Sequence, residues 1–347
     1  MRIKNLNIGS KYVPKIIAEM SGNHKRSLKR ALKLVDIASE SGAHFLKLQT
    51  FKAETMTLKL TKGKFRIKDK KSLWKNKTLY DLYKKSAMPW EWHQKIIDRC
   101  KKKGLICFST PFDEKSVDFL EKLKIPLYKV ASFEITHLPL IKRIAQTRKP
   151  IIISTGMASK KEILDAIRVV KKEKNNKIIL MKCTSEYPAN PIHSNLKTIR
   201  DMKKRFNCEI GLSDHTVGIG AAISSIINGA TIIEKHFTIS NKDGGIDSPF
   251  SLEPDELKLL VKETKRAWLS NGKICYGATK HEKKSLVFRR SLFLNKNLKK
   301  GELLTNKDIS ILRPKIGLDP KMAYKIIGKK AAKNLKKNTA IKSGMFK

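Results

Sequence analysis

The feature that most constrains the fold of this chain is an eightfold alternation of short β-rich runs with amphipathic helical segments. Runs rich in Ile, Val, Leu and Phe are typical of buried strands, and apolar residues at helical spacing are typical of helices. The predicted strands are Ile16–Met20, Phe45–Gln49, Leu105–Ser109, Leu127–Ala131, Ile151–Ser154, Ile178–Lys182, Glu209–Ser213 and Ile232–His236. The predicted helices are Ser27–Ser41, Trp90–Lys103, Lys115–Leu123, Leu138–Gln146, Lys160–Lys174, Asn195–Phe206, Val217–Asn228 and Pro254–Ser270.

Eight strand–helix units over about 270 residues predict an α/β fold of the (β/α)8 TIM-barrel type. A doubly wound parallel sheet is the alternative. Such a sheet rarely needs eight repeats, and no Gly-x-Gly-x-x-Gly motif follows any of the predicted strands. One long insertion, Lys52–Met88, separates the second predicted strand from its helix. Its length predicts a segment that covers a substrate.

The pattern changes after Asn271, where the strand–helix alternation stops. Residues 271–285 are predicted to be a linker, and residues 286–347 contain short strands separated by turn signals such as Lys300-Gly301. The predicted organisation is therefore a TIM-barrel domain over residues 1–270, a linker, and a small β-rich domain over residues 286–347. A domain of about 60 residues is near the lower size limit for independent stability, so we expect it to dock on another surface.

The composition limits the compartment and the thiol chemistry. No stretch of apolar residues is long enough for a transmembrane helix, and the N-terminal segment lacks the apolar core of a signal peptide, so a cytoplasmic location without a membrane partner is expected. The five cysteines include no Cys-x-x-Cys pair. This pattern favours reduced thiols over disulfides or a structural zinc site.

The net charge of +44 first suggests a polyanionic partner. Of the 75 basic residues, however, 61 are Lys, and they are spread along the whole chain. Arg predominates where bases and phosphates are bound through two hydrogen bonds, whereas Lys is typical of a generic solvated surface. We therefore expect a lysine-rich surface and no nucleic-acid partner. A basic polyanion-binding protein on a barrel scaffold is the alternative from another functional class.

Polar residues end every one of the eight predicted strands. Barrel enzymes carry their chemistry at the carboxyl ends of the strands, because all eight following loops open on that face. In chain order, the strand-end residues that stand out are Glu19, Lys47, Gln49, Thr110, Lys129, Ser132, Ser154, Ser185, Tyr187, Ser213, His215, Glu234 and His236. Eight polar ends together predict an active site more strongly than any single residue does.

Two histidines in this set are candidate metal ligands. His215 and His236 end adjacent strands, so their imidazoles can face one divalent ion. Two histidines with at most one carboxylate suit Mn²⁺ or Mg²⁺ in open coordination better than a closed zinc site. Structural histidines held by hydrogen bonds are the alternative.

Lys47 and Lys129, together with the hydroxyl groups at the strand ends, predict a small anion cradle. Lys supplies charge and hydroxyls supply oriented donors, which is what a phosphate or carboxylate requires. Core lysines paired with carboxylates are one alternative, and a lysine that forms a Schiff base is another. The histidine pair argues against the Schiff base, because a metal can polarise a carbonyl without a covalent imine.

Long motifs at these strand ends resemble one known family. They are KIIAEMSGNHKRSLKRALKLVDIASESGAHFLKLQT (15–50), YKVASFE (128–134), STGMAS (154–159), KCTSEYP (182–188), GLSDHTVG (211–218) and IEKHFT (233–238). In these motifs the chain resembles the sialic acid (nonulosonate) synthases, which condense phosphoenolpyruvate with an amino sugar and release phosphate. Residues 286–347 resemble the C-terminal antifreeze-like (SAF) domain of that family.

Two further segments favour one branch of the family. Residues 72–93 (SLWKNKTLYDLYKKSAMPWEWH) and 246–257 (IDSPFSLEPDEL) resemble the pseudaminic acid synthases, and so does Ser185. The resemblance implies condensation of phosphoenolpyruvate with 2,4-diacetamido-2,4,6-trideoxy-L-altrose. Synthesis of legionaminic or N-acetylneuraminic acid is the alternative within the family.

The resemblance also implies roles for individual residues. Phosphoenolpyruvate is expected to be bound by Lys47, Thr110, Lys129, Ser132, Ser154, Ser185 and Ser213. The sugar is expected to contact Gln49, Tyr187, Asp247 and Arg313. Glu19 is the implied catalytic acid or base, His215 and His236 the metal ligands, and Asp214 and Glu234 the residues that orient those ligands. In this family the arginine at the position of Arg313 reaches into the neighbouring subunit, which implies a domain-swapped homodimer.

Overall fold

The computed structural model describes residues 1–69 and 72–347. Lys70 and Lys71, which belong to the predicted insertion, lie outside the described residues. The chain divides into two compact units, Met1–Gly272 and Lys273–Lys347. Within the described ranges, no helix combines the length and apolar character that a membrane span requires.

The first unit is a barrel of parallel strands, so the predicted fold class is confirmed and the doubly wound alternative is wrong. A short antiparallel pair, β1 (Arg2–Ile3) and β2 (Leu6–Asn7), precedes the barrel. Across the described residues, eight strands close the barrel, with β10 hydrogen-bonded to β3. They are β3 (Lys15–Glu19), β4 (Phe45–Thr50), β5 (Ile106–Pro111), β6 (Tyr128–Val130), β7 (Ile151–Ser154), β8 (Ile178–Cys183), β9 (Glu209–Asp214) and β10 (Ile232–His236).

The first unit also contains helices, and those outside the long insertion bury an apolar face against the barrel. The helices are α1 (Leu28–Glu40), α2 (Ala53–Met56), α3 (Leu79–Ser86), α4 (His93–Lys102), α5 (Glu114–Lys122), α6 (Leu138–Gln146), α7 (Lys160–Lys172), α8 (Thr198–Phe206), α9 (Gly220–Ile227) and α10 (Pro254–Asn271). Helix α7 illustrates how a side chain can fix the residue at which a helix begins. The Ser159 hydroxyl accepts from the Glu162 backbone N–H, and the Glu162 carboxylate accepts from the Ser159 N–H. This capping box satisfies two backbone donors at the start of the helix.

The barrel interior changes from apolar to charged along the strands. Its lower layer is a cluster of buried apolar residues, among them Ile17, Phe45 and Ile232. Alternate residues of a strand share a face, so the residues two positions later also point inward. Those residues are Glu19, Lys47 and Glu234, and they are buried as well. Because the period is two residues, these charged side chains form the inward-facing layer nearest the carboxyl ends of the strands.

The predicted insertion contains α2 and α3, and the second unit is mainly β-rich, as expected. Its strands β11 (Ser291–Leu294) and β12 (Ile309–Leu312) pair in an antiparallel manner. A 3-10 helix, Glu282–Phe288, precedes them, and a short helix, α11 (Ala323–Ile326), follows. The unit has its own apolar core, which includes Leu292, Leu304 and Ile341.

Candidate active site

Four charged side chains form a buried cluster at the carboxyl ends of the barrel strands. Lys47 Nζ donates to Glu234 Oε1 at 2.8 Å and lies 3.3 Å from Glu19 Oε2. Lys129 Nζ lies 3.5 Å from the same Glu234 oxygen, which also accepts from Ser213 Oγ at 3.1 Å. The four charged residues are between 0 and 5% exposed. Their formal charges cancel, which is the condition under which such burial is tolerated.

The cluster sets the protonation of its members. Burial alone would lower the pKa of Lys47, but the adjacent Glu19 and Glu234 carboxylates outweigh it and raise that pKa. Burial opposes ionisation of Glu234 too, yet Lys129 and Lys47 hold its pKa far below the ordinary value. For Glu19, burial prevails and raises the pKa to about 7. Glu19 can thus gain or lose a proton near neutral pH. Burial also lowers the pKa of Lys129.

Hydroxyl groups extend this cluster into a polar cradle. Among the described residues, the buried hydroxyls of Thr110 and Ser154 have no hydrogen-bond partner. Ser132 Oγ accepts from the Gly156 N–H at 3.1 Å, and a Cβ at Gly156 would lie 2.8 Å from it and collide with Ser185 Oγ. The glycine therefore keeps room between two hydroxyls. Unpaired buried donors beside two lysines fit an anionic ligand.

A hydrogen-bond chain connects the charged cluster to the residues expected to bind the sugar. Gln49 Nε2 donates to Glu19 Oε1 at 3.0 Å and to Ser21 Oγ at 3.2 Å. The Ser21 hydroxyl donates to Asp247 Oδ2, which lies 3.8 Å from His236 Nδ1. Burial raises the pKa of Asp247. One polar surface therefore runs from Glu19 to the histidine pair.

The two predicted metal ligands lie side by side, with ring centroids 5.3 Å apart. His215 Nδ1 is 2.8 Å from the Thr184 carbonyl oxygen, which can only accept, so this nitrogen carries the proton and Nε2 is free to bind an ion. Among the described residues, the buried Nδ1 of His236 has no hydrogen-bond partner. Burial, followed by the charge of His215, lowers the pKa of His236, which favours the neutral ring that a metal ligand requires. Burial would also lower the pKa of His215, but the adjacent Cys183 thiol raises it. The residues fit a divalent ion.

Within the described part of the chain, no group of three or more His, Cys, Asp or Glu side chains surrounds one point. The described residues therefore offer two imidazoles at this place, and the open metal site stays a prediction. Asp214 and Glu234 make their hydrogen bonds elsewhere than to these rings. Asp214 Oδ2 accepts from Lys235 Nζ at 3.0 Å, whereas Glu234 binds the lysines and Ser213.

Arg313 belongs to the second unit. It is exposed and lines a cavity of about 530 Å³ together with Arg289, Arg290 and Lys321. All the other predicted site residues lie in the first unit.

Three side chains of the site were given no role from the sequence. Glu134 has a buried oxygen without a hydrogen-bond partner among the described residues, and burial raises its pKa to about 7. Cys183 lies 4.0 Å from His215 Nδ1; burial would raise the pKa of its thiol, but His215 lowers it to about 6. The Phe250 ring packs 5.0 Å from that of His236. Glu134 follows a strand end and could have been chosen by that rule, whereas the position of Phe250 depends on a loop.

Comparison with known proteins gives the family. The sequence matches the NeuB family over residues 34–276 and the SAF domain over residues 289–347. The chain belongs to the NeuB family. The pseudaminic acid synthase of Campylobacter jejuni serotype O:2 is 39% identical over 346 residues, which cover 100% of both chains. These matches confirm the family, the SAF domain and the likeness to pseudaminic acid synthases expected from the sequence.

Two further proteins are also similar to this chain. The N,N'-diacetyllegionaminic acid synthase of the same Campylobacter jejuni strain is 38% identical over 331 residues, 94% of this chain and 98% of that one. A crystal structure of N-acetylneuraminic acid synthetase from Leptospira borgpetersenii, in complex with citrate, is 31% identical and superposes with a TM-score of 0.74. That comparison covers 82% of this chain and 94% of the other.

Proposed function

We propose that this NeuB-family chain is a pseudaminic acid synthase, which condenses phosphoenolpyruvate with 2,4-diacetamido-2,4,6-trideoxy-L-altrose and releases phosphate. The observation that carries the proposal is the buried cluster of Lys47, Lys129, Glu19 and Glu234 beside unpaired hydroxyls at the barrel mouth. A protein that only binds polyanions on its surface has no use for charges buried inside the barrel.

The two lysines and the hydroxyl cradle bind the phosphate and carboxylate of phosphoenolpyruvate. C3 of phosphoenolpyruvate attacks C1 of the open-chain sugar, whose carbonyl oxygen takes up a proton and becomes a hydroxyl group. Water adds at C2 and gives up a proton, and phosphate leaves with cleavage of its C2–O bond, so that C2 becomes the ketone of the product. Glu19, whose pKa burial raises to about 7, takes the proton of that water. Because Glu19 and Glu234 keep Lys47 charged, this lysine acts as an anion-binding group and not as a Schiff-base nucleophile.

His215 and His236 are the residues that would hold Mn²⁺ or Mg²⁺. Such an ion, when bound, supplies Lewis-acid polarisation of a carbonyl oxygen. Gln49, Tyr187 and Asp247 orient the sugar from the same side, and the hydrogen-bond chain through Ser21 fixes Gln49 relative to Asp247.

We also propose a domain-swapped homodimer in which Arg313 completes the partner subunit's sugar site. This proposal rests on the resemblance of the C-terminal segment to the SAF domain. The cytoplasmic location expected from the sequence stays a prediction.

The test is a phosphate-release assay with phosphoenolpyruvate and three sugars. They are 2,4-diacetamido-2,4,6-trideoxy-L-altrose, the corresponding legionaminic acid precursor and N-acetylmannosamine. We expect the altrose derivative to give the highest kcat/KM. The precursor of legionaminic acid is the serious competitor, since a legionaminic acid synthase is 38% identical to this chain. Turnover of that precursor alone would replace the proposed substrate, and no release with any sugar would refute a synthase.

A further inference from the structure

Three aromatic side chains from separate parts of the first unit meet beside the histidine pair. Trp74 comes from the long insertion, Tyr187 from the loop after β8, and Phe250 from the loop after β10. The Tyr187 ring lies 5.7 Å from that of Trp74 and 5.7 Å from that of Phe250. We call Trp74, Tyr187 and Phe250 the aromatic wall.

The wall is fixed against the two imidazoles. The Tyr187 ring lies 4.3 Å from that of His215, and Phe250 packs 5.0 Å from His236. Phe250 is only 1% exposed, so its ring packs against Tyr187 and contributes little open surface. Trp74 and Tyr187 are both partly exposed, so each has surface available to a ligand, and Trp74 is the one that the long insertion supplies.

One hydrogen bond holds Trp74 in this place. Its indole Nε1 donates to the Ile246 carbonyl oxygen at 3.1 Å. Ile246 directly precedes Asp247, whose carboxylate accepts from Ser21 and lies 3.8 Å from His236 Nδ1. The bond thus connects the insertion to the segment that carries a proposed sugar ligand.

An aromatic face discriminates between methyl and hydroxyl groups at the same position. Burying a methyl group is favourable, whereas a hydroxyl group loses hydrogen bonds to water that a ring cannot replace. The proposed sugar has a methyl group at C6 and an acetamido group at C4. N-Acetylmannosamine has hydroxyl groups at both of these carbons. The polar chain from Gln49 to Asp247 and the aromatic wall therefore offer different surfaces to the two parts of one sugar.

We infer that Trp74 is a specificity-determining residue, whose ring, supported by Tyr187 and Phe250, binds the methyl-bearing C4–C6 end of a trideoxy diacetamido hexose. This inference rests on the proposed function and deepens it, because it assigns the preference for a deoxy sugar to one side chain of the insertion. It applies equally to the altrose derivative and to the legionaminic acid precursor, which share these groups.

The test compares kcat/KM for the two trideoxy sugars and for N-acetylmannosamine in three proteins: wild type, Trp74→Ala and Trp74→Phe. In Trp74→Ala, we expect kcat/KM for the trideoxy sugars to fall at least ~10-fold more than kcat/KM for N-acetylmannosamine. The KM for phosphoenolpyruvate is expected to stay within about twofold, because its ligands are elsewhere. Trp74→Phe keeps an aromatic face and loses the N–H, so it is expected to retain most of the preference.

Trp268→Ala is the matched control. Its indole N–H also donates to a backbone carbonyl, that of Ser10, but it lies on the outer helix α10. We expect this variant to leave kcat/KM for every sugar nearly unchanged.

The outcomes separate the inference from the proposed function. Wild-type protein that turns over neither trideoxy sugar would overturn both. If the wild type is active and Trp74→Ala lowers kcat/KM equally for all sugars, only the inference is overturned. Trp74 would then serve to hold the insertion in place. Equal damage in Trp74→Phe and Trp74→Ala would likewise assign the effect to the Ile246 hydrogen bond and refute the ring contact.

Discussion

At the scale of single residues, the site combines two lysines and two glutamates, whose formal charges cancel, with buried hydroxyl groups that have no hydrogen-bond partner among the described residues. Glu234 accepts from Lys47 and Ser213 and also lies near Lys129, so one carboxylate orients three proposed phosphoenolpyruvate ligands. Leaving a buried charge uncompensated costs several kcal/mol, which explains why the lysines occur with Glu19 and Glu234. The free hydroxyls are the groups left to bind the substrate.

Gly156 provides a test of the hydroxyl cradle. In Gly156→Ala, the added methyl group displaces the Ser132 and Ser185 hydroxyls, so we expect the KM for phosphoenolpyruvate to rise about 10- to 100-fold. The control is Gly220→Ala, where a Cβ meets no atom within 4 Å. That change lies at the start of α9 and is expected to leave KM unchanged. An unchanged KM in Gly156→Ala would argue against the cradle.

His236 provides a test of the proposed metal site. Removing one of two imidazoles is expected to weaken Mn²⁺ binding by His236→Ala at least ~10-fold, because few protein ligands remain. Equilibrium dialysis or electron paramagnetic resonance with Mn²⁺ measures this directly, without an activity assay. His193→Ala is the control, since His193 is exposed and pairs with Glu186. Equal Mn²⁺ binding by wild type and His236→Ala would refute the role of His236.

At the scale of elements, hydrogen bonds on the outer side of the barrel hold the loops that carry the site. Lys235 is fully buried on β10 and donates to Asp214 Oδ2 and to the Thr216 carbonyl oxygen. Asp214 Oδ1 in turn accepts from the Thr216 N–H at 2.9 Å. This ion pair joins the ends of β9 and β10 and so fixes the backbone at His215 and His236.

In the second unit, Asp308 stabilises the turn that begins at Thr305. Its carboxylate accepts from the Thr305 N–H at 2.8 Å and hydroxyl at 2.7 Å, and lies 3.1 Å from Lys296 Nζ. We expect Asp308→Ala to destabilise this unit by about 1–2 kcal/mol at pH 7. Urea unfolding of the full chain, with hydrogen exchange followed at β11 and β12, measures the loss. Asp319→Ala, which removes an exposed partner of Lys315, is the control and is expected to change little.

The pKa of Asp308 also determines whether its contribution to the stability of the second unit grows or shrinks with pH. Burial opposes ionisation, but Thr305 and Lys296 hold the pKa of Asp308 below its ordinary value. Its contribution is therefore fully present above the unfolded-state pKa of about 3.9 and is lost as the pH falls through the lowered native value. The stability difference between wild type and Asp308→Ala should shrink over that acidic window. A difference that grows with acidification would contradict the assignment.

At the scale of the whole molecule, the net charge of +44 and the division into two units need separate explanations. The charged residues assigned to the site form a neutral cluster, so the excess of lysine belongs to the rest of the chain. The proposed dimer accounts for the second unit, because in it Arg313 would contact the sugar bound to the partner subunit.

Subunit complementation tests this arrangement. Arg313→Ala and His236→Ala are each expected to be nearly inactive. If Arg313 acts on the partner subunit, random mixing of the two variants restores about a quarter of the wild-type sites, because half of the dimers are hybrids with one intact site each. Mixing His236→Ala with Glu19→Gln is the control and restores none, since both changes lie in the barrel. Recovery absent from both mixtures would refute the swap.

The amino-acid pattern by itself determined the barrel, the SAF-like segment and the layer on which the chemistry lies. A strand period of two and a fixed strand direction dictate that Glu19, Lys47, Lys129 and His236 face one opening, whatever the loops do. Only the tertiary structure decided which groups pair. The sharing of Glu234 by two lysines, the buried Cys183 beside His215, and the approach of Trp74 to Tyr187 all join residues distant in the chain. Such contacts depend on barrel closure and loop packing, which no local periodicity encodes.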